Sequence, residues 1–333
     1  MKTALSEFKN LRLVKAMGFN RVVLIGVIIL MYILFAILSP ILHEGTNFVS
    51  YARVLSALNY GYFIGFMGLG VTFVIATGNI DFSIGPVMYT SALIAGYCMN
   101  SYGAPLWLSM ILCILIGTVF GSIGGFFVSY LHLPSFITSM SLMLVAKGVG
   151  SIFTKTQAVS WPDLNSPNGW YRYMVRAGDV PTGLILLIAM AIICAIILNK
   201  TRAGRYMICI GANREAVRLS GVDTRRWEML AFIISGTLAG IAALFYVGAY
   251  STVQPGLGDT FNNEAIAACV MGGTSMAGGL ASILGTVIGA FIVALMQEGI
   301  LAMGFTISYQ YVLTGLIVLG AVIADTLSRR RRN

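Results

Sequence analysis

The chain has 333 residues, of which 58% are hydrophobic and 10% are charged, and its formal net charge is +9. Ordinary globular domains carry roughly 25% charged residues, so this chain has too few charges to cover a soluble protein of its size. The composition excludes a water-soluble enzyme or binding module and indicates a polytopic membrane protein.

Apolar segments recur along the whole chain. A membrane-spanning helix needs about 20 mostly apolar residues, and by that measure the sequence predicts about ten transmembrane helices. They are expected at residues 22–39, 55–77, 84–100, 105–130, 135–153, 181–198, 229–250, 261–276, 280–303 and 307–325. The predicted fold class is all-α, with broken helices at membrane depth. We expect one transmembrane domain (22–326) between an N-terminal segment (1–21) and a basic tail (327–333).

The positive charges predict the orientation of these helices. Five of the 21 Lys and Arg residues precede residue 22, seven lie within 200–226, and four lie within 329–332. In a chain with ten spans these sixteen residues fall on one side of the membrane, which the positive-inside rule identifies as the cytoplasm. Both termini and the loop 199–228 are therefore expected to be cytoplasmic. The charge is explained by topology, and no aromatic-basic motif points to nucleic acid.

Two segments interrupt the helical pattern. They are "ATGNIDFSIGP" (76–86) and "MGGTSMAGG" (271–279), both rich in glycine. Irregular backbone at membrane depth is tolerated only where it is buried in protein or lines a watery cavity. Each segment is therefore either a tight turn between two spans or a break beside a polar route through the bundle.

Ionisable side chains within or near the spans are functional candidates, because they are costly in hydrocarbon. They are Asp81, Lys147, Glu264 and Glu298. Asp81 and Glu264 are alternatively helix N-caps, and Ser83 beside Asp81 favours that role there. Lys147 is alternatively a side chain that reaches toward the membrane surface.

Glycines at every fourth position (Gly117, Gly121 and Gly125; Gly236 and Gly240; Gly285 and Gly289) predict surfaces where helices pack closely. The five cysteines include no CxxC pair and are interpreted as packing residues. We found no catalytic constellation and no Gly-Lys-Ser/Thr phosphate loop, so no catalytic residue, metal or cofactor is expected. Any ATP used by such a protein would be hydrolysed by another chain.

One segment, "GANREAVRLSGVDTRR" (211–226), is far more polar than its surroundings. Asn213 is a suitable N-cap, Glu215 would lie in the first turn, and Gly221 would end the helix. The segment predicts a short amphipathic helix, which either binds anionic lipid through its arginines or fits a groove on a cytoplasmic partner. Its face of Ala216, Leu219 and Ser220 favours the protein groove, because lipid would favour larger apolar side chains.

These segments resemble a known family, the permease subunits of bacterial ATP-binding-cassette importers. "GANREAVRLSGVD" is similar to their coupling loop. Over residues 22–325 the chain is similar to the monosaccharide permeases of the ribose and galactose type. "GVTFVIATGNIDFSIG" (70–85), "EAIAACVMGGTSMAGG" (264–279) and "ISYQYVLTGLIVLGAVIAD" (307–325) carry that similarity.

The resemblance implies partners and residue roles. The partners would be ATPase subunits, a substrate-binding protein, a second permease chain (identical or sister), a sugar and membrane lipid, in the bacterial inner membrane. The residues that would contact the ATPase are Glu215, Ala216, Arg218, Leu219, Ser220 and Gly221. The substrate pathway would include Asn79, Asp81, Ser83, Glu264, Thr274 and Ser275.

Other functions stay open at this point. A proton-coupled carrier would use Asp81 or Glu264 as a proton relay and would need no ATPase, but it leaves the short polar helix unexplained. Within the importer class, the cargo is alternatively a sugar-like signal of the autoinducer-2 type or a furanose sugar. Selectivity in such systems rests largely with the separate binding protein.

Overall fold

A computed structural model describes residues 19–43 and 48–330 of the chain. Of the predicted terminal segments, residues 1–18 and 331–333 lie outside this described part. The helices within it are α1 (Phe19–Leu42), α2 (Tyr51–Ala76), α3 (Ile84–Tyr102), α4 (Leu106–Ser129), α5 (Ser135–Phe153), α6 (Thr182–Lys200), α7 (Arg202–Ala212), α8 (Arg214–Leu219), α9 (Thr224–Tyr250), α10 (Asp259–Met271), α11 (Ile283–Ala302) and α12 (Ile307–Arg330). Two short strands, β1 (Val159–Ser160) and β2 (Thr252–Val253), and a 3-10 helix (Gly169–Met174) complete the fold.

The all-α polytopic fold is confirmed, and each of the ten predicted spans falls on a helix. Seven helices in the described residues are long and apolar enough to cross a membrane, namely α1, α2, α4, α5, α6, α9 and α11. The count of ten is therefore not confirmed. The other three predicted positions are occupied by α3, α10 and α12.

Helix α10 is shorter than the sequence predicted. It ends at Met271 instead of residue 276, because Gly273 takes φ +89° and turns the chain out of the helix. Its 13 residues are about 20 Å long at 1.5 Å per residue, which is less than the roughly 30 Å of a membrane core. The helix is thus too short to cross a membrane core by itself, and a partly buried loop (272–282) continues from it.

Helix α9 lies at the centre of the bundle, packed on α4 and α2. The α4–α9 contact depends on the predicted glycine stripes. A β-carbon on Gly117 would collide with the carbonyl oxygen of Gly236, and one on Gly121 would collide with that of Phe232. The prediction that these stripes are close-packing surfaces is confirmed.

The two ends of α9 define the two sides of the molecule. Its 27 residues span about 40 Å. The end near Thr224 adjoins α7 and α8, and we call it the coupling side. The end near Tyr250 adjoins the antiparallel β1–β2 pair, in which Val159 lies opposite Val253, and we call it the sheet side.

Candidate functional site

The short helix α8 projects from the coupling side, as predicted. Asn213 Oδ1 accepts a hydrogen bond from Ala216 N at 3.0 Å, which caps the first turn. Gly221 takes φ +84° just beyond the helix. All six residues of α8 are at least partly exposed, and Leu219 is 75% exposed. The predicted cap and helix end are confirmed, and the helix presents an apolar tip to its surroundings.

The two arginines of α8 have different partners. Arg218 pairs with Glu215 on the same exposed helix, with Nη2 2.6 Å from Oε1, and its hydrogen bonds lower the pKa of the Glu215 carboxyl. Arg214 instead reaches α9, where Nε and Nη2 lie 2.8 and 2.9 Å from the two carboxylate oxygens of Glu228. The Glu228 side chain is only 4% exposed. Because a buried carboxylate depends strongly on its partner, this pair ties α8 to the first turns of α9.

The two predicted breaks are non-helical loops, at residues 77–83 and 272–282, and they contact each other. Gly279 N donates a hydrogen bond to Ala76 O at 3.1 Å, which joins the second loop to the end of α2. Each loop is therefore more than a turn between two spans, because it also holds the other loop. We call this contact the break junction.

Three glycines make the break junction possible. Gly78 and Gly278 both have positive φ, at +81° and +80°. A β-carbon on Gly278 would lie 2.8 Å from the Cα atoms of Gly78 and Gly211. Gly211 belongs to α7, one residue from its end, and a β-carbon there would collide with Ala76 O. The junction thus brings both loops against the helix that leads into α8.

Asp81 lies within the first loop as a buried hydrogen-bond acceptor. Its Oδ1 accepts from Ser83 N at 2.9 Å and from Ser83 Oγ at 2.6 Å. Its Oδ2 accepts from Ser235 Oγ of α9 at 3.0 Å. Ser83, not Asp81, is the N-cap residue of α3, so the N-cap alternative for Asp81 is wrong, although its carboxylate does accept hydrogen bonds from the residue that begins this helix. The contact to α9, 154 residues away, was not predicted.

The other polar residues predicted near the breaks are held by local hydrogen bonds. Asn79 Nδ2 donates to Thr77 Oγ1 at 3.0 Å. Thr274 Oγ1 accepts from Ser282 N at 3.2 Å, and Ser275 N donates to Leu280 O at 2.9 Å. Thr274 and Ser275 are buried, and these bonds shape the second loop.

Glu264 does not cap a helix, and that alternative is wrong. It lies in the second turn of α10, whose first turn contains Asp259. Tyr60 of α2 donates a hydrogen bond to Glu264 Oε2 at 2.6 Å, and Gln310 of α12 donates to Oε1 at 3.1 Å. Its carboxyl therefore joins three helices at a buried point.

A cavity of about 390 Å³ opens next to Glu264 on the sheet side. Six of its 14 lining residues are aromatic. Tyr89 and Tyr246 share a hydrogen bond between their hydroxyls at 2.6 Å, and the rings of Tyr246 and Tyr250 lie 5.0 Å apart. The residues that line it are Tyr60, Tyr89, Tyr246, Tyr250, Gly256, Leu257, Gly258, Asp259, Thr260, Phe261, Glu264, Gln297, Ile307 and Tyr311. We call it the tyrosine cavity.

A second cavity, of about 430 Å³, continues along the same face of α10. It shares Thr260, Glu264 and Tyr311 with the tyrosine cavity. Toward the coupling side it is lined by Phe82 from the first break loop and Met276 from the second. The two cavities therefore form a series that leads from the sheet side past Glu264 to the break junction.

The other ionisable residues noted in the spans form ion pairs between helices. Lys147 Nζ of α5 lies 2.7 Å from Asp259 Oδ2, at the start of α10, so Lys147 has a protein partner rather than only the membrane surface. Glu298 of α11 pairs with Arg53 of α2 at 3.5 Å. Among the described residues, no group of three His, Cys, Asp or Glu side chains is placed to hold a metal ion.

A comparison with known protein families shows which family this chain belongs to. A sequence profile described as "Branched-chain amino acid transport system / permease component" matches residues 53–322. The chain belongs to this permease family. It is a multi-pass membrane protein.

Known relatives of the permease are named for sugars. It is 31% identical over 305 residues to the ribose import permease protein of Haemophilus influenzae, covering 89% of this chain and 91% of that protein. It is 29% identical over 291 residues to the fructose import permease protein of Rhizobium meliloti, covering 86% and 81%. The xylose transport system permease protein of Escherichia coli is 29% identical over 344 residues, covering 85% and 87%.

Among solved structures, the permease is similar to a metal-chelate type ABC transporter in an inward-facing conformation. The TM-score is 0.49 and the identity 15%, covering 92% of this chain and 99% of that one. A likeness of this strength says nothing about cargo or mechanism.

The permease fold divides the predicted pathway residues into two groups. Asn79, Asp81, Ser83, Thr274 and Ser275 lie at or beside the break junction, toward the coupling side. Glu264 lies apart from them, between the two cavities. Sequence reasoning missed the tyrosines and Gln297 that surround Glu264. The available signal was the occurrence of tyrosine pairs, such as Tyr246 and Tyr250 one turn apart, in otherwise aliphatic helices.

Proposed function

We propose that this permease is the membrane-spanning subunit of an ATP-driven importer that takes up a sugar, and that the cargo is a monosaccharide. The three relatives reported above are named for the import or transport of ribose, fructose and xylose. Each alignment covers more than four fifths of this chain, so the similarity extends beyond one shared motif. A proton-coupled carrier is not favoured, because it requires none of the features of α8.

The observation that carries the proposal is the exposed helix α8. Its free surface has an apolar tip, and Arg214 anchors its other face to a buried carboxylate of α9. This arrangement suits a groove on a cytoplasmic partner that binds α8 and moves it. We assign ATPase contact to Glu215, Ala216, Arg218, Leu219, Ser220 and Gly221.

The permease would then work with several partners. Two ATPase subunits hydrolyse ATP and bind α8 from the cytoplasm. A substrate-binding protein delivers the sugar on the opposite side, which here is the sheet side. A second permease chain, identical or sister, completes the path within the bacterial inner membrane. The permease itself forms the transmembrane domain over residues 22–326, with both termini in the cytoplasm.

Two side-chain contacts connect α8 to the proposed substrate pathway. The Arg214–Glu228 pair would transmit a movement of α8 to α9, and Ser235 lies about two turns further along this helix. Ser235 hydrogen-bonds Asp81 in the first break loop. A shift of α9 therefore changes the break junction, provided that the ATPase and the binding protein favour different arrangements of it. We propose Asn79, Asp81, Ser83, Glu264, Thr274 and Ser275 as residues along the pathway.

The test is uptake by the complete complex reconstituted in vesicles, with ATP inside and no pH gradient. Glu215→Ala and Gly221→Pro should abolish uptake, while the permease remains inserted and folded, because both changes are confined to exposed α8 and the exposed turn after it, where proline cannot adopt the φ of +84° of Gly221. Arg225→Ala is the matched control: it removes an exposed cation from the same side without altering α8. Normal ATP-dependent uptake by both α8 variants would reject the coupling assignment.

A further inference from the structure

The tyrosine cavity contains buried hydrogen-bond acceptors that have no donor. Gln297 is 8% exposed and lines the cavity, and its Oε1 atom has no hydrogen-bond partner in the described part of the chain. Asp259 Oδ1, also in the lining, has no partner in that part of the chain either, although Oδ2 of the same, less buried carboxylate pairs with Lys147. Buried polar atoms in folded proteins are almost always paired. These oxygens therefore indicate a ligand that donates hydrogen bonds.

The walls of the cavity favour a compact ligand with apolar as well as polar faces. The rings of Tyr89 and Phe261 are stacked at 5.7 Å, and the ring of Tyr246 lies 4.9 Å from that of Tyr89. The phenolic hydroxyls of the lining can both donate and accept. A volume of about 390 Å³ lies in the range of roughly 300–1,000 Å³ of small-molecule pockets. A monosaccharide, with C–H faces and a rim of hydroxyls, fits both properties.

The charges that line the cavity disfavour an amino acid as its ligand. Its charged lining residues are Asp259 and Glu264, which are both acids. Lys147, a cation beside the cavity, is already paired with Asp259 at 2.7 Å. The ammonium group of a zwitterionic amino acid would suit these acids, but its carboxylate would meet like charge, because no cation lines the cavity among the described residues. A neutral molecule with several hydroxyls avoids this cost and supplies the missing donors.

We infer that the tyrosine cavity is a binding site for a single monosaccharide, in which Gln297 accepts a hydrogen bond from a sugar hydroxyl and Tyr250 packs on a sugar face. This inference rests on the proposed sugar import and adds a site within the permease itself. The sugar leaves the binding protein on the sheet side and occupies this cavity first. It then passes Glu264 into the second cavity.

The experiment measures binding of D-ribose, D-fructose, D-xylose and L-leucine to the purified permease–ATPase complex in nanodiscs, without binding protein. Gln297→Leu removes the acceptor, and Gln297→Glu keeps acceptor oxygens as a conservative rescue. Tyr250→Leu removes the ring, and Tyr250→Phe removes only the hydroxyl. The matched control is Asn59→Leu, because Asn59 Oδ1 is also buried and unpartnered among the described residues but lines a different cavity.

We expect at least one sugar to bind the wild type, and the Leu variants at Gln297 and Tyr250 to weaken that binding by about tenfold or more. Asn59→Leu should bind within about threefold of the wild type, and Gln297→Glu and Tyr250→Phe should each lose less affinity than the Leu variant at the same position. Sugar uptake that proceeds normally in both Leu variants, with unchanged binding, overturns the site but leaves the importer intact. Binding of L-leucine that depends on Gln297, together with no uptake of any sugar, overturns both the site and the proposed cargo.

Discussion

The break junction and the tyrosine cavity are both polar regions inside the bundle, yet they differ in how their polar atoms are used. At the junction, Asp81 accepts three hydrogen bonds from protein donors, and glycine backbones pack against each other. In the cavity, Gln297 Oε1 and Asp259 Oδ1 are unpaired within the described residues, and aromatic rings enclose free volume. Saturated hydrogen bonding indicates a structural element, whereas unpaired acceptors in an aromatic cavity of this size are consistent with the ligand site proposed above.

This difference shows that the role of a polar residue in a membrane protein depends on its surroundings. An intramembrane carboxylate is a functional candidate by default, and both Asp81 and Glu264 qualify. Their surroundings separate them. Asp81 holds α3 and α9 together, whereas Glu264 lies between two cavities. Changes at the junction should therefore alter stability first, and changes at the cavity should alter sugar handling first.

The largest expected effect is that of Asp81→Leu. It leaves the Ser83 N–H, the Ser83 hydroxyl and the Ser235 hydroxyl without their acceptor, at a cost of about 1–3 kcal/mol for each buried group. Folded yield and thermal stability in detergent should fall sharply. Asp81→Asn is the matched variant, because its amide oxygen still accepts from the start of α3. Equal stability of the Leu variant and the wild type would remove the structural role from Asp81.

A smaller loss of thermal stability is expected for Gly278→Ala at the break junction. Alanine at φ +80° is strained, and its β-carbon would also crowd Gly78 and Gly211, which adds roughly 1–3 kcal/mol of overpacking. Gly256→Ala is the control: φ is +79°, but open space surrounds the site of the added carbon. The thermal midpoint should fall further for Gly278→Ala. Equal shifts in the two variants would show that close packing contributes nothing.

The features that the sequence predicted correctly are local ones. Helix positions, the end of α8 at Gly221, the Asn213 cap and the glycine stripes all follow from residues a few positions apart. The break junction, the Asp81–Ser235 bond and the tyrosine cavity join residues from distant parts of the chain. The spacing of hydrophobic residues shows which face of a helix is buried, but not which segment packs against that face. These long-range contacts could therefore not be predicted from the sequence.

Glu264 is an example of a residue whose role could not be predicted from the sequence. An acidic residue after a glycine-rich turn is consistent with an N-cap, and the sequence alone does not place the helix start at Asp259 rather than five residues later. The tyrosines around it were equally hard to assign, because aromatic residues in spans are usually packing residues. Only the volume between them, and a Gln297 Oε1 atom that is unpaired among the described residues, distinguish a cavity from a core.

In the tyrosine cavity, Tyr60→Phe should lower the free energy of unfolding by less than the changes at the break junction do. It removes the donor to Glu264 Oε2, a buried acceptor, and should destabilise the protein by about 1–3 kcal/mol. Tyr89→Phe should cost about 0.5–1.5 kcal/mol, since its partner Tyr246 is only partly buried and can bond water instead. Chemical denaturation of the two variants checks the order. A reversed order would mean that the Tyr60–Glu264 bond does not hold α2 to α10.

The smallest effect is expected at the Lys147–Asp259 pair. The side chains are 24% and 46% exposed, so solvent screens the pair and its contribution should be about 0.2–1 kcal/mol. A double-mutant cycle with Lys147→Met and Asp259→Asn measures this coupling energy. A coupling well above this range would show that the pair is a main support of α10.

The most direct test of the account is sugar uptake by the reconstituted complex under two driving forces. Vesicles with wild type, Asp81→Asn and Glu215→Ala are given internal ATP without a pH gradient, and then a pH gradient without ATP. We predict ATP-driven uptake by the wild type, substantial uptake by Asp81→Asn, none by Glu215→Ala, and none by any of them with the pH gradient alone. Uptake driven by the pH gradient, lost on Asp81→Asn, would contradict the importer and identify a proton-coupled carrier.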